Sequence, residues 1–237
     1  NQLYYIDVEK KTTHLITKSK QTEIEEFDWS PDSKWVAYTD NINNEQSVVY
    51  LYSLASGKST LITDEFFNSD SPKFSADGKY LFFVSKRNFR PKVVEFEWNF
   101  SYQDMENIYG YILSKDGANP FAIDEKYLAN IPIEISGADE EEENELLADL
   151  EKPVKKKRGK KDKAEEKDNS IKIDLENLQN RMFELPIPPG NYGNLNVIKD
   201  KLYYAYSAEG KPTILKYYDL KDKEEKEVGN IYNYAFS

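Results

Sequence analysis

Side chains that could perform covalent or metal chemistry are scarce in this sequence. It holds one histidine, His14, and no cysteine among 237 residues. Disulfides, thiolate zinc sites and cysteine nucleophiles are therefore excluded within these residues, as is any mechanism that needs two histidines. His14 lies in the segment TTHLIT, and the similar segment STLIT has Thr60 at the same place. This similarity predicts an ordinary strand position for His14 rather than a general base.

The remaining candidates, serines and carboxylates, form no recognisable catalytic set. A nucleophilic serine needs a base within hydrogen-bond reach and donors that stabilise the oxyanion, and no GxSxG elbow is present. Paired carboxylates carry no information among 43 acidic residues. Neither a calcium-binding loop nor a glycine-rich phosphate loop occurs in the sequence. We therefore assign no catalytic, cofactor-binding or metal-binding residue, and we expect no cofactor.

The pattern of apolar residues indicates a β protein. Aromatic residues make up 14% of the chain, and they cluster with Val, Ile and Leu in short runs. Each run is bounded by Asp, Gly, Pro, Ser or Lys, which is typical of strands. Helical spacing of apolar residues is scarce outside the charged stretch described below. The runs include Leu3–Ile6, Trp35–Tyr38, Val48–Tyr52, Tyr80–Val84, Tyr109–Leu113, Leu202–Tyr206 and Ile214–Tyr218.

An internal repeat indicates how these strands are arranged. Phe27–Tyr38 (FDWSPDSKWVAY) and Pro72–Phe83 (PKFSADGKYLFF) align with a shift of 45 residues. A weaker copy lies at Asn194–Tyr206, and Tyr232–Ser237 (YNYAFS) resembles the first strand of another copy. A four-stranded β-repeat of about 40–45 residues is typical of a propeller blade.

From the repeat we predict an all-β chain that forms a partial β-propeller. It has about three four-stranded antiparallel blades, truncated at both ends, and a long charged insertion. Trp29 and Phe74 take the same place before the turn, so we expect both rings to fill the space between neighbouring blades. Blades are predicted over 1–123: a partial blade over 1–24, a full blade over 25–68, and a blade over 69–123 with a long inner loop at 86–107. A charged, disordered insertion is predicted over 124–169. Blades then resume over 170–237 and are truncated at the C-terminus.

Two segments depart from the repeat. Lys86–Asn107 has too many aromatic residues for a disordered loop, so we expect it to pack on a blade or to cover a blade edge. Inside the insertion, Asp139–Glu151 holds eight acidic residues and Lys152–Lys163 holds eight basic ones. Such charge blocks remain solvated, with a transient helix expected around Glu140–Leu150. The acidic block neutralises the field of the basic run and the chain carries a net charge of −11, so nucleic acid is not expected as a partner.

Several of these segments together resemble one family. Glu97–Ile123 (EWNFSYQDMENIYGYILSKDGANPFAI), the charged insertion after it and Ile173–Tyr192 (IDLENLQNRMFELPIPPGNY) are similar to the N-terminal propeller region of tricorn-like serine peptidases. These peptidases form the tricorn branch of the C-terminal-processing-peptidase family. The SPDSK and SADGK turns are less specific, because TolB-type and prolyl-oligopeptidase-type propellers share them. The similarity covers essentially the whole chain.

The resemblance implies a non-catalytic role for this chain. In that family, propeller repeats precede a PDZ-like module and an αβ domain with the catalytic serine and histidine, and no residue here matches those catalytic positions. We therefore expect the chain to gate or dock peptide substrates for a catalytic domain beyond Ser237. The parent protein is expected to be a serine peptidase. The expected partners are peptide substrates, the missing propeller blades, and the PDZ-like and catalytic domains, with a homo-oligomeric parent allowed.

Two other functions and the cellular location stay open at this point. The chain is also compatible with a stand-alone TolB-type scaffold for protein–protein interaction, or with the propeller of a prolyl-oligopeptidase-type enzyme. The resemblance implies the periplasm of a Gram-negative bacterium, or secretion from it. The chain begins NQLYYIDVEKK, which lacks the features of a signal peptide. No apolar run approaches the roughly 18 residues that a membrane-spanning helix needs, so we expect no membrane partner.

Overall fold

The structure is a computed structural model. It describes residues 1–21, 23–42, 45–88, 91–94, 99–102, 104–122, 170–208 and 211–230. Outside the described residues lie the predicted helix at Glu140–Leu150 with the insertion around it, the aromatic side chains from Phe89 to Tyr102, and the strand predicted at Tyr232–Ser237.

Sixteen strands and one short 3-10 helix make up the regular structure of the described residues. The strands are β1 (Gln2–Asp7), β2 (Thr12–Lys18), β3 (Phe27–Trp29), β4 (Trp35–Asn41), β5 (Ser47–Ser53), β6 (Lys58–Leu61), β7 (Ser69–Phe74), β8 (Tyr80–Ser85), β9 (Pro91–Val94), β10 (Asn99–Tyr102), β11 (Asn107–Ile112), β12 (Met182–Glu184), β13 (Asn191–Ile198), β14 (Lys201–Ser207), β15 (Ile214–Asp219) and β16 (Glu224–Asn230). The 3-10 helix spans Leu178–Arg181. In this part of the chain, no helix is long and apolar enough to cross a membrane.

Three four-stranded antiparallel sheets dominate the fold. Sheet I is β3-β4-β5-β6, sheet II is β7-β8-β11-β12 and sheet III is β13-β14-β15-β16, while β1-β2 and β9-β10 each form a two-stranded antiparallel sheet. The three sheets contact one another in chain order, through β7 on one side and β13 on the other, and the described sheets do not close into a ring. The chain is therefore all-β and forms part of a propeller, which confirms the predicted fold class.

The repeated turns form because their serines bond to the backbone ahead of them. The Ser30 hydroxyl oxygen accepts hydrogen bonds from the backbone N–H of Lys34 at 3.2 Å and of Trp35 at 2.9 Å. Ser75 repeats this geometry, with its hydroxyl oxygen 2.9 Å from the backbone nitrogen of Tyr80. These local bonds fix the first hairpin of sheets I and II, which explains why the turn sequence is so visible in the chain.

The same turns provide a matched pair of substitutions. Ser33 and Gly78 occupy equivalent positions and both have left-handed backbones, with φ of 57° and 68°. A side chain costs about 1–2 kcal/mol in this conformation. A Cβ atom on Gly78 would also lie 2.3 Å from Cδ1 of Ile171. We therefore expect Ser33→Gly to raise the free energy of unfolding by up to about 1 kcal/mol, and Gly78→Ala to lower it by about 1–2 kcal/mol, both measured by urea denaturation.

The comparison of the two variants contains its own control. Because both substitutions change one small side chain at equivalent positions of two equivalent turns, a general effect of turn mutation would move both stabilities in the same direction. Opposite signs are expected from the left-handed backbone. A destabilised Ser33→Gly variant would contradict this account of the turn.

The last strand of sheet II comes from beyond the charged insertion. The segment around Asp174 returns to the end of β11, where its backbone N–H donates to the carbonyl oxygen of Leu113 at 2.9 Å. Its carboxylate accepts a hydrogen bond from the backbone of Lys115 at 2.9 Å. Arg181 then donates to the carbonyl oxygens of Ile112, Glu176 and Asp174. The chain can therefore re-enter the sheet that it left.

The short strand after the insertion belongs to sheet II. β12 pairs with β11, matching Phe183 with Gly110, and so completes that sheet, and the chain then continues into β13 of sheet III. Three residues carry too little periodicity to indicate a partner strand from the sequence. The pairing depends on the hydrogen bonds of Arg181 and Asp174, which position β12 beside β11.

Apolar side chains fill the boundary between sheets I and II. The aromatic rings of Phe83, Tyr109 and Tyr111 are buried there with Ala37 and Leu51 of sheet I. Beside them lie the buried residues Val49, Ile62, Phe74, Leu81, Leu113 and Leu178.

A smaller apolar cluster joins the hairpin of β1 and β2 to sheet I. Its buried residues are Leu3, Val36, Tyr38 and Tyr52. Trp29 lies nearby, edge-on to the ring of Tyr5 with 6.2 Å between centroids, but remains 39% exposed. Phe74, at the equivalent place in the repeat, is only 5% exposed. Of the two rings expected between blades, Phe74 is thus buried as predicted. Trp29 is only partly covered, because the neighbouring sheet, β1-β2, has only two described strands.

Candidate functional site

The structure brings three carboxylates from distant parts of the sequence to one end of β7. Glu26 lies just before β3, Asp70 lies in β7 and Glu106 lies just before β11. Lys86, which follows β8, contributes a nearby positive charge. We call Glu26, Asp70, Glu106 and Lys86 the acidic junction. It lies where β7 meets sheet I on one side and sheet III on the other.

Glu26 joins sheet I to sheet II. Its carboxylate accepts hydrogen bonds from the Ser71 backbone N–H at 2.7 Å and from the Ser71 hydroxyl at 2.9 Å. Ser71 has a left-handed backbone, with φ of 53°, where the pairing of β7 with β8 shifts register. A bulge of this kind leaves one residue unpaired in the ladder. The N–H of Ser71 is thus available to Glu26.

A second carboxylate strengthens the same boundary. Asp28 accepts hydrogen bonds from the backbone N–H of Phe74 at 2.8 Å and from Nζ of Lys73 at 3.3 Å. Burial raises the pKa of Asp28, although these two partners oppose the shift. Glu26 and Asp28 therefore hold β7 at two points along its length.

Glu106 joins sheet II to sheet III in a similar way. Its carboxylate accepts the backbone N–H of Tyr192 at 2.7 Å, and Nζ of Lys86 lies 3.5 Å from its other oxygen. The backbones of Glu106 and Gly190 also exchange two hydrogen bonds, at 3.1 and 2.9 Å. A charged acceptor for a backbone N–H forms a stronger bond than a neutral one, so Glu106 is a main contact across this boundary.

Asp70 lies between these two boundary contacts. Burial, followed by the negative charges of Glu26 and Glu106, raises the pKa of Asp70 to about 7. A hydrogen bond with Ser71 and the charge of Lys86 oppose the shift. The junction thus combines two carboxylates that hold neighbouring sheets with a third that exchanges a proton near neutral pH.

The chemistry available at the junction is electrostatic. Among the described residues, no three His, Cys, Asp or Glu side chains are placed to hold a metal ion. With all three carboxylates ionised and Lys86 charged, the junction is anionic. It therefore favours cationic groups and disfavours anionic ones by Coulomb interaction.

His14 lies in β2, as its sequence context suggests. Its ring stacks on that of Tyr5 with centroids 4.7 Å apart, and its Nε2 lies 2.9 Å from the Thr12 hydroxyl. The assignment of no catalytic, cofactor-binding or metal-binding residue stays a prediction.

The residues of the acidic junction were not identified from the sequence. One signal was present: Glu26 and Ser71 are separated by 45 residues, the period of the repeat, so they occupy equivalent places in neighbouring blades. The bulge at Ser71, which makes their bond possible, has no signature in the sequence.

Comparison with known proteins agrees with the fold and with the sequence resemblance. A family model described as the tricorn protease second beta propeller domain matches residues 1–237. The tricorn protease of Thermoplasma volcanium is 24% identical over 244 aligned residues, which cover 96% of this chain and 20% of that protein. A tricorn protease homolog of Saccharolobus solfataricus is 30% identical over 112 residues, covering 47% of this chain and 10% of that protein.

Solved structures give a similar result. A crystal structure of the tricorn protease superposes with a TM-score of 0.67 at 19% identity, covering 97% of this chain and 20% of that one. TolB from Acinetobacter baumannii superposes with a TM-score of 0.51 at 13% identity, covering 96% of this chain and 37% of that one. At these identities the structures show the fold alone. The chain spans a fifth or less of the length of the curated relatives.

Proposed function

The chain belongs to the family of tricorn protease second beta propeller domains, and we propose that it gates or docks peptide substrates for a serine peptidase domain elsewhere in the same protein. The observation that carries this proposal is the acidic junction at one end of β7, the first strand of its sheet. Blades of a propeller surround a central channel, so a cluster of carboxylates around the end of a first strand lies close to the route that a peptide would follow. The chain itself would take no part in the chemistry of peptide hydrolysis.

Other parts of the same protein are its first partners. The tricorn relatives are much longer than this chain, and the propeller is part of a larger protease with other domains. We propose that these include further propeller blades, a PDZ-like module and a catalytic domain, and that the parent forms a homo-oligomer. Phe27 and Trp29, which are 45% and 39% exposed in β3, support the presence of further blade strands that cover them.

The TolB-type scaffold has weaker support than the peptidase propeller. The likeness to TolB concerns the fold alone, whereas the family match extends over residues 1–237. For the location, the periplasm of a Gram-negative bacterium or secretion from it remains our proposal. Cell fractionation that recovers the full-length protein from the cytoplasm would contradict it.

Hydrolysis assays test the division of labour. We expect the full-length protein to hydrolyse peptides and to lose this activity with a serine-directed inhibitor, while residues 1–237 alone hydrolyse none. The proposal fails if the chain alone hydrolyses peptides and the inhibitor abolishes that activity.

Gating is tested by a bulky label at the end of β7 that carries the junction. Phe66 is 82% exposed in the loop before β7, and the chain contains no cysteine. Phe66→Cys therefore gives one labelling position within this chain of the full-length protein, once reactive cysteines elsewhere are removed. After attachment of a maleimide polymer, we expect a severalfold lower kcat/KM for long peptides and no change for a small chromogenic substrate.

The control label is attached at the opposite end of the sheets. Ser56 is exposed in the turn between β5 and β6, so Ser56→Cys with the same polymer adds equal bulk away from the junction. Gating at the junction predicts that only the label at position 66 discriminates against long peptides. Equal effects of both labels, or no effect of either, would contradict it.

A further inference from the structure

The two boundary contacts of the acidic junction share one neighbour, Asp70. Glu26 contacts Ser71, the residue directly after Asp70, through two hydrogen bonds. Glu106 contacts the backbone of Tyr192 in sheet III and also acts on Asp70 through its charge. A change of charge at Asp70 therefore acts on both boundaries of β7 at once.

The groups around Asp70 set the direction of this effect. From the side of sheet I the negative charge of Glu26 acts on it, and from its own sheet the charges of Glu106 and Lys86 act on it. The single hydroxyl proton of Ser71 is donated to Glu26 at 2.9 Å, and hydrogen bonding by the same side chain opposes the raised pKa of Asp70. An ionised Asp70 therefore repels the two carboxylates that hold the neighbouring sheets and competes for a donor that Glu26 uses. A neutral Asp70 does neither.

We propose that Asp70 couples the uptake of one proton to the tightness of the two sheet boundaries that flank β7. With Asp70 protonated, Glu26 and Glu106 are held on the amides of Ser71 and Tyr192. Loss of the proton loosens both contacts. The proposal does not rest on the proposed role in gating peptides and goes beyond it.

The sign of the pH dependence follows from the position of the folded-state pKa. The pKa of Asp70 is raised from an ordinary value of 3.8 to about 7. Between these values the folded protein holds a proton that the unfolded chain releases, so the stability of the boundaries falls as pH rises from about 4 to about 7. Above pH 7 this contribution is lost and the dependence becomes flat.

Hydrogen exchange at single amides in the full-length protein tests the proposal. After correction for the intrinsic pH dependence of exchange, the protection of the Ser71 and Tyr192 amides should fall roughly tenfold between pH 6 and 8, because linkage to one proton gives about a tenfold fall per pH unit below the folded-state pKa and none above it. In Asp70→Asn the protection should be independent of pH over this range. Asp200→Asn, which changes an exposed aspartate of a turn, should behave like the unmodified protein.

Two further variants separate a proton switch from a structural role of the side chain. Glu26→Gln removes one of the charges that act on Asp70, so the midpoint of the transition at Tyr192 should move to lower pH. Asp70→Ser replaces Asp70→Asn should the asparagine variant fail to fold. The proposal is overturned by protection that does not change with pH in the unmodified protein, by the same change persisting in the Asp70 variant, or by a midpoint unmoved in Glu26→Gln.

Discussion

Replacement of Phe83 by alanine is expected to lower the free energy of unfolding by about 3–5 kcal/mol. Phe83 is fully buried in β8, and its ring stacks on Tyr111 and Tyr109 with centroids 5.1 and 6.0 Å apart. These rings meet Ala37 and Leu51 of sheet I across the boundary. The truncation removes the apolar surface and also leaves a cavity that the paired strands on either side cannot close.

Urea denaturation of the purified protein measures this loss, and Phe66 supplies a control of the same residue type. Phe66 is 82% exposed, so Phe66→Ala should change the free energy of unfolding by no more than about 0.5 kcal/mol. If Phe83→Ala cost as little as the control, the boundary between sheets I and II could not depend on its aromatic core.

The parts of this fold that were predictable from the sequence are those made by local interactions. The turns after Ser30 and Ser75 use hydrogen bonds that span four or five residues, so the same short sequence produces the same hairpin in two sheets. The repeat of 45 residues then gave the four-stranded blade, because the spacing between similar strands reflects the structure directly.

The parts that were not predictable depend on partners that are distant in sequence. β12 is three residues long and finds β11 only after the insertion. The acidic junction is harder still, since Glu26, Asp70 and Glu106 are three among 43 acidic residues. Their meeting depends on the bulge at Ser71 and on the order of three sheets, and neither is encoded by the identity of the carboxylates.

Replacement of Gly110 by valine is expected to destabilise the protein by about 3 kcal/mol or more, combining overpacking with loss of a buried ring. Gly110 lies in β11 between Phe82 of β8 and Phe183 of β12. A Cβ atom at position 110 would lie 2.4 Å from the ring of Phe183. The absence of a side chain thus allows Phe183 to lie over β11, edge-on to Phe82 at 6.0 Å and to Tyr80 at 5.5 Å.

A double-mutant cycle assigns this cost to its cause. If the clash is with Phe183, then Phe183→Ala should make Gly110→Val much less harmful, with a coupling of about 1 kcal/mol or more between the two sites. Gly193→Val is the control, because a Cβ at that strand position meets nothing within 4 Å. Additive costs in the cycle would mean that Gly110→Val destabilises the backbone of β11 and does not act through a clash with the ring of Phe183. The expected coupling would instead mean that β12 is held by the packing of Phe183, since its three residues offer only a short ladder to β11. The closing strand of sheet II would then depend on a glycine located on the other side of the insertion.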